Sequence, residues 1–288
     1  MDDGDGARRT FHNPAAAAYA IEVESRFMPA FRDHGIARNV PYGREPHQLL
    51  DIYGPRDHMG SALPVLVFIH GGGWTAGCKE WMGFMAPAIS KLPALLVTPS
   101  YSLAPRDRWP IPFEDCAAAV AWVHRNIHIY GGDGNHMLVG GHSAGAHLAA
   151  CVATRSAAET DIAGCCVVSG TFDMRFDSVV SGSMEERIVR DLLRDEADMP
   201  DASPLLFVSR HTPPFLLAMG EHDYPRIHKQ AASMAAALRD QGKLRDVISI
   251  PGSDHFGAST ALVDESCGWL AGVQSMFQSI NQEEGRLS

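Results

Sequence analysis

Residues Met137-Leu138-Val139-Gly140-Gly141-His142-Ser143-Ala144-Gly145-Ala146-His147-Leu148-Ala149-Ala150 run from an apolar stretch, through a serine set among glycines, into a helix-forming segment. This is G-x-S-x-G in a strand-turn-helix setting. A strand that passes directly into a helix must turn sharply, and small residues on either side of Ser143 allow that turn without steric clash. The turn holds the hydroxyl of Ser143 out from the chain, and the helix behind it supplies free amides and the positive end of its dipole. Ser143 is therefore the candidate nucleophile and the amide of Ala144 a candidate donor to a developing oxyanion.

A second stretch supports this reading independently. The apolar run Val65 to Ile69 leads straight into His70-Gly71-Gly72-Gly73-Trp74. Acyl transfer needs backbone N–H groups aimed where a carbonyl oxygen becomes negative, and glycines keep side chains out of that approach. Gly72 and Gly73 are assigned as the other two oxyanion donors, with His70 as a loop organiser and Trp74 as a wall that would crowd long acyl chains. The same loop fits G-x-G-x-x-A, but a dinucleotide site also needs an acidic residue at the end of the next strand, and that strand ends in Pro99-Ser100-Tyr101.

Around these stretches, short apolar runs alternate with segments of helical period. Strands are expected at Val65 to Ile69, Leu95 to Pro99, Met137 to Gly141, Gly164 to Ser169, Phe215 to Met219 and Val247 to Ile250. Helices are expected at Phe113 to Ile129, Ala146 to Ser156, Pro225 to Gln241 and Thr260 to Ile280, the first with a stripe of Phe113, Ala117, Val120, Val123 and Ile127. Gly35 to Val40 and Gln48 to Tyr53 add an edge hairpin. The sum is an α/β fold with a mostly parallel eight-stranded sheet and helices on both faces. One domain spans residues 1–288, with an N-terminal helix over 14–33 and a small cap or lid insertion over 171–212 that carries a charged helical piece, Met184 to Arg194.

A serine hydroxyl needs a base, and the base an orienting carboxylate, in the chain order Ser, Asp or Glu, His. Gly220-Glu221-His222-Asp223 follows one late strand and Pro251-Gly252-Ser253-Asp254-His255-Phe256 the next. His255 is assigned as general base and Asp223 as its partner, with Glu221 the alternative carboxylate and Asp254 a turn residue. His142, beside the nucleophile, is a candidate substrate contact. His124 and His128 stand at i, i+4, but no further ligand with a sensible pattern accompanies them, so no metal is expected.

The chain has 288 residues and a net charge of −10. That balance, with Arg8-Arg9 as the longest basic run, argues against a nucleic-acid partner. No stretch has the roughly 18 apolar residues of a membrane span, and the start Met1-Asp2-Asp3-Gly4-Asp5-Gly6 lacks the features of a secretory signal, so a cytoplasmic location is expected. The six cysteines form no C-x-x-C pair and read as reduced, buried side chains.

These motifs resemble the α/β-hydrolase superfamily, in the branch with an HGG-type oxyanion loop shared by hormone-sensitive-lipase-like esterases and kynurenine formamidases. Ser100-Tyr101-Ser102-Leu103-Ala104-Pro105 and Pro112-Phe113-Glu114-Asp115-Cys116 are similar to that branch. His70 to Trp74, Gly141 to Leu148, Gly220 to Pro225 and Asp254-His255-Phe256 are similar to its formamidase side. The resemblance covers about Val40 to Phe277. It departs at Gly73, where many members carry a bulkier residue, and between Asp173 and His211, which match no known acyl or aryl pocket. It implies a serine hydrolase with no cofactor that takes a small acyl group such as formyl from an aryl amide. The alternatives are a carboxylesterase for short acyl esters and a non-catalytic binding protein of the same fold. The expected partner is a small-molecule amide or ester, with no membrane contact; a homodimer is left open.

Overall fold

The computed structural model describes residues 14–56, 60, 62–155 and 160–287. Its centre is set by five strands, β3 (Leu63–Ile69), β4 (Leu95–Pro99), β5 (Gly132–His142), β6 (Ile162–Val168) and β7 (Phe215–Gly220). Side chains alternate across a strand, so a strand apolar at every position must be covered on both faces. Val65, Val67, Ile69, Val139 and Val167 pack into one core, while Leu66, Phe68, Leu138 and Val168 pack into another on the opposite face. Helices α3 (Ile111–Asn126), α4 (Ala144–Arg155) and α6 (Pro225–Asp240) cover the first face. Helices α1 (Pro14–His34), α2 (Ala86–Lys91) and α8 (Trp269–Leu287) cover the second.

The sheet is completed by β1 (Gly35–Pro41), β2 (Leu49–Tyr53) and β8 (Leu244–Ile250), in the order β1-β2-β4-β3-β5-β6-β7-β8. The β1–β2 and β2–β4 pairs are antiparallel and the remainder parallel. This is the eight-stranded, mostly parallel sheet read from the sequence. Register matters at one place above all: Ile69 at the end of β3 stands opposite Gly141 at the end of β5, so the glycine loop and the serine turn leave the sheet side by side.

Several elements differ from expectation. Thr260 to Ile280 is not one helix: α7 (His255–Thr260) is followed by two 3-10 turns, and Gly268 at φ +76° ends them before α8 begins. The buried face of α3 is Asp115, Cys116, Ala119, Val120 and Val123, with Phe113 and Ala117 only half-buried. Asp115 turns inward because it accepts bonds from the amide of Ser102 at 2.8 Å and Gln48 Nε2 at 2.7 Å. The charged piece Met184 to Arg194 is a short α-helix, α5 (Met184–Arg187), continued by a π-turn at Ile188–Leu192. Helix α2 and the 3-10 turn Lys79–Met85 before it were not read from the sequence. The start Met1 to Gly6, Arg8-Arg9 and Ser156 lie outside the described residues. Among the described residues no helix is long and apolar enough to cross a membrane. The six cysteines carry free thiols, five of them buried.

Residues 171–212 are tied into the first core. Phe172, Met174, Leu192, Leu193 and Ala202 are buried there. The amide of Trp109 donates to the carbonyl of Leu192 at 2.8 Å, and His147 Nε2 donates to the carbonyl of Ala202 at 2.7 Å. Since Nε2 of His147 carries that proton, Nδ1 is the acceptor, and it takes a bond from Trp74 Nε1 at 3.1 Å.

Two predictions follow from buried charge. Asp51 and Lys79 are almost wholly buried and paired at 2.9 Å, and Asp51 also accepts from the amide of Asn39 at 2.8 Å, which joins β2, β1 and the turn after the glycine loop. Lys79→Met strands that carboxylate in the core and should cost about 3–5 kcal/mol. A urea midpoint equal to that of wild type would contradict this. For His147, burial outweighs its hydrogen bond to Ala202 and lowers the pKa from 6.5 to about 4. Because the folded value lies below the unfolded one, the stabilisation is complete above the unfolded pKa and is lost as pH falls through about 4. His147→Gln should therefore lessen the slope of stability against pH between these values, by up to about 1.4 kcal/mol per pH unit. Parallel slopes for the two proteins would refute it.

Candidate active site

Ser143 sits between β5 and α4 with φ +55°, a left-handed conformation that non-glycine residues seldom adopt. The turn closes because a Cβ is absent at Gly145, where it would stand 2.1 Å from the carbonyl oxygen of Ile69. The amide of Ser143 donates to the carbonyl of Val168 at 2.9 Å, and the amide of His147 donates to the carbonyl of Ser143 at 3.1 Å. Helix α4 thus starts directly behind the serine, and the amide of Ala144 is one of the first-turn donors with no acceptor inside the helix.

The structure brings Ser143, His255 and Asp223 together. His255 Nδ1 lies 2.8 Å from Asp223 Oδ1, and His255 Nε2 lies 2.9 Å from Ser143 Oγ. A carboxylate only accepts, so Nδ1 donates to it and Nε2 is left to accept from the serine hydroxyl. Asp223 also receives the hydroxyl of Ser169 at 2.5 Å and the amide of Tyr224 at 2.8 Å. Burial works to raise its pKa, but the bonds from His255, Ser169 and Tyr224 outweigh burial and hold it at about 2. Glu221 is exposed and accepts from the amide of Gly252 at 2.8 Å, while Asp254 caps α7 by accepting from the amides of Phe256 and Gly257. Asp223 is therefore the carboxylate that reaches the ring.

Gly72 and Gly73 take φ +117° and +61° in a loop closed by bonds from the amides of Thr75 and Ala76 to the carbonyl of Gly72. A Cβ on Gly72 would stand 2.1 Å from the carbonyl oxygen of Ala76, whereas one on Gly73 would meet only open space. Both glycines line, with Ser143 and His255, a cavity of about 330 Å³. His70 organises the loop: its Nδ1 donates to the carbonyl of Gly71 at 2.7 Å, and its ring stacks on Tyr101 at 4.3 Å.

Trp74 does not wall this cavity. Its indole is buried in the core on the α4 side and bonded to His147, and Trp81, from the 3-10 turn that follows, lines the cavity instead. His142 does line it, yet its Nε2 donates to the carbonyl of His255 at 2.9 Å, so the ring braces the backbone of that residue. Burial, more than its neighbour His255, lowers the pKa of His142 to about 3 and keeps it neutral. His124 bonds the carbonyl of Gly134 at 3.0 Å, while His128 lies beyond the end of α3 in a 3-10 turn. Ser169 escaped the sequence reading; its one signal is its position directly after β6 on the edge of the sheet that carries Ser143.

Comparison with known proteins agrees with this architecture. A family model for the alpha/beta hydrolase fold, Abhydrolase_3, matches residues 66–258. Esterase LipC of Mycobacterium tuberculosis (strain ATCC 25618 / H37Rv) is 31% identical over 239 residues, covering 76% of this chain and 59% of that protein. The chain thus spans little more than half the length of that relative. Kynurenine formamidase of Danio rerio is 28% identical over 238 residues, covering 79% of this chain and 77% of that protein. Among solved structures, an esterase of Pyrobaculum calidifontis superposes with a TM-score of 0.73 at 22% identity, covering 92% of this chain and 94% of that one. The eight-stranded sheet, the serine turn between β5 and α4 and the family match over 66–258 together place this chain in the α/β-hydrolase family.

Proposed function

We propose that the protein is a serine hydrolase that removes a small acyl group, formyl in the first instance, from an aryl amide through an acyl-enzyme. The observation that carries the reading is the chain of hydrogen bonds from Ser143 through His255 to Asp223, opening on a cavity beside Gly72 and Gly73. Ser143 Oγ gives its proton to His255 Nε2 and attacks the carbonyl carbon. The carbonyl oxygen becomes negative within reach of the amides of Gly72, Gly73 and Ala144. His255, held in one tautomer by Asp223, then passes the proton to the leaving nitrogen, the C–N bond breaks, and water releases the acyl group by the same steps in reverse roles.

Aromatic side chains of Tyr19, Trp81, Tyr224 and Phe256 line the cavity, a surface suited to an aryl leaving group. The formyl preference rests on the likeness to kynurenine formamidase and on the cavity's modest size. The likeness to LipC, named an esterase, favours a second reading as a short-acyl carboxylesterase.

The kcat/KM values for formanilide and N-formylkynurenine, set beside those for p-nitrophenyl acetate, butyrate and hexanoate, separate the two. The formyl amides should be turned over and the ester rates should fall as the acyl chain lengthens. Best turnover of butyrate or hexanoate, with the formyl amides untouched, would replace the formamidase reading by the esterase one. The roles of the two carboxylates are tested separately. Asp223→Asn should lower turnover by about 10⁴, the size of effect seen when a triad histidine is held in the wrong tautomer. Glu221→Gln should stay near wild type, and the reverse ranking in folded variants would reassign the acid.

A further inference from the structure

Two arginines face the same cavity as Ser143, and the proposed reaction uses neither. Arg187 ends α5 in the 171–212 segment, and Arg226 lies in the first turn of α6, just after the loop that carries Asp223. The chain is acidic, with a net charge of −10, yet no Asp or Glu is among the described residues that line this cavity.

Three other arginines of the 171–212 segment, Arg175, Arg190 and Arg194, each hold a carboxylate at 2.7–2.8 Å. Among the described residues Arg187 and Arg226 hold none. Arg187 Nη2 meets only the sulfur of Met184 at 3.5 Å, and its Nε is sealed from solvent without a partner. Arg226 Nη1 donates to the hydroxyl of Thr171 at 3.2 Å. Glu185 and Asp223 act on Arg226 through space without reaching ion-pair distance, Asp223 is committed to His255, and Arg187 repels it. Two like charges lining one cavity, with donors to spare and no carboxylate at ion-pair distance among the described residues, are unfavourable until an anion arrives.

The side of the cavity is also fixed. A leaving group must reach His255 to take its proton, and the ring of Tyr224 flanks His255 with centroids 5.1 Å apart. The guanidinium of Arg226 lies 5.7 Å from the centre of that same Tyr224 ring. We infer that Arg187 and Arg226 form an anion subsite that selects substrates whose leaving group carries a carboxylate. The inference deepens the proposed hydrolase reading and rests on it for the side of the cavity. A guanidinium pair with open donors suits a planar carboxylate, which accepts two parallel N–H bonds.

The test uses two esters of nearly the same shape, 4-acetoxybenzoate and its neutral counterpart 4-acetoxybenzamide, with calorimetric binding of the products 4-hydroxybenzoate and 4-hydroxybenzamide. Wild type should prefer the acid of each pair by roughly 10-fold or more, the size expected for one or more hydrogen bonds to a charged group. The preference should shrink in Arg187→Gln and in Arg226→Gln, vanish in the double variant, and survive in part in Arg226→Lys, which keeps the charge. Equal treatment of acid and amide by wild type overturns the subsite, and so does a preference that persists in the folded double variant. Should the double variant not fold, the wild-type ratios and the single variants decide. Hydrolysis of neither ester nor of formanilide, with tighter binding of the acid that depends on the arginines, would uphold the subsite and overturn the hydrolase reading.

Discussion

Ser143 is held at φ +55°, and the rest of the site is arranged around that one backbone conformation. A non-glycine residue in this region costs about 1–3 kcal/mol and persists only where its surroundings leave no alternative. Here the amide of Ser143 is taken by the carbonyl of Val168 from β6, and its carbonyl is taken by the first turn of α4. Gly145 lets α4 press against the end of β3, and the register of β3 with β5 sets Ile69 opposite Gly141. The glycine loop therefore leaves the sheet next to the serine turn. A Cβ on Gly71 would come within 3.3 Å of the Cβ of Ser143, which shows how closely the two segments approach.

The remaining two members are brought in from β7 and β8, whose ends lie on the same edge of the sheet. Their order of assembly is hierarchical in space: Ser169 and the amide of Tyr224 hold Asp223, Asp223 and the backbone bond from His142 hold His255, and His255 reaches Ser143. Each bond fixes the donor or acceptor role of the next, so no ring in the chain is free to choose its tautomer. The surrounding charge is uneven. One carboxylate is buried behind the histidine, two arginines line the cavity in front of it, and no Asp or Glu is among the described residues that line it.

Most of this was legible in the sequence because it rests on local rules. Strands apolar throughout announce a sheet covered on both sides, and G-x-S-x-G between such a run and a helix leaves one serine at the turn. Chain order then narrowed the acid and base to two short loops. What the sequence hid depends on three-dimensional packing. The indole of Trp74 turns into the core towards His147, a contact across 73 residues, and Trp81 takes its place at the cavity. The choice of Asp223 over Glu221 lies in the curl of one loop. The inward turn of Asp115 adds Cys116 and Ala119 to the buried face of α3 beside Val120 and Val123 and leaves Phe113 and Ala117 half-buried at its margin. Arg187 and Arg226 are 39 positions apart on different elements, with no spacing that marks them as neighbours.

The central claim is that the strained serine is the group that becomes acylated. Its most direct test is covalent labelling of the intact protein with a fluorophosphonate, followed by peptide mass mapping. The account predicts a single adduct on the peptide that contains Ser143, abolished in Ser143→Ala and strongly slowed in His255→Ala. An adduct on another residue, or unchanged labelling of the Ser143→Ala protein, would contradict it.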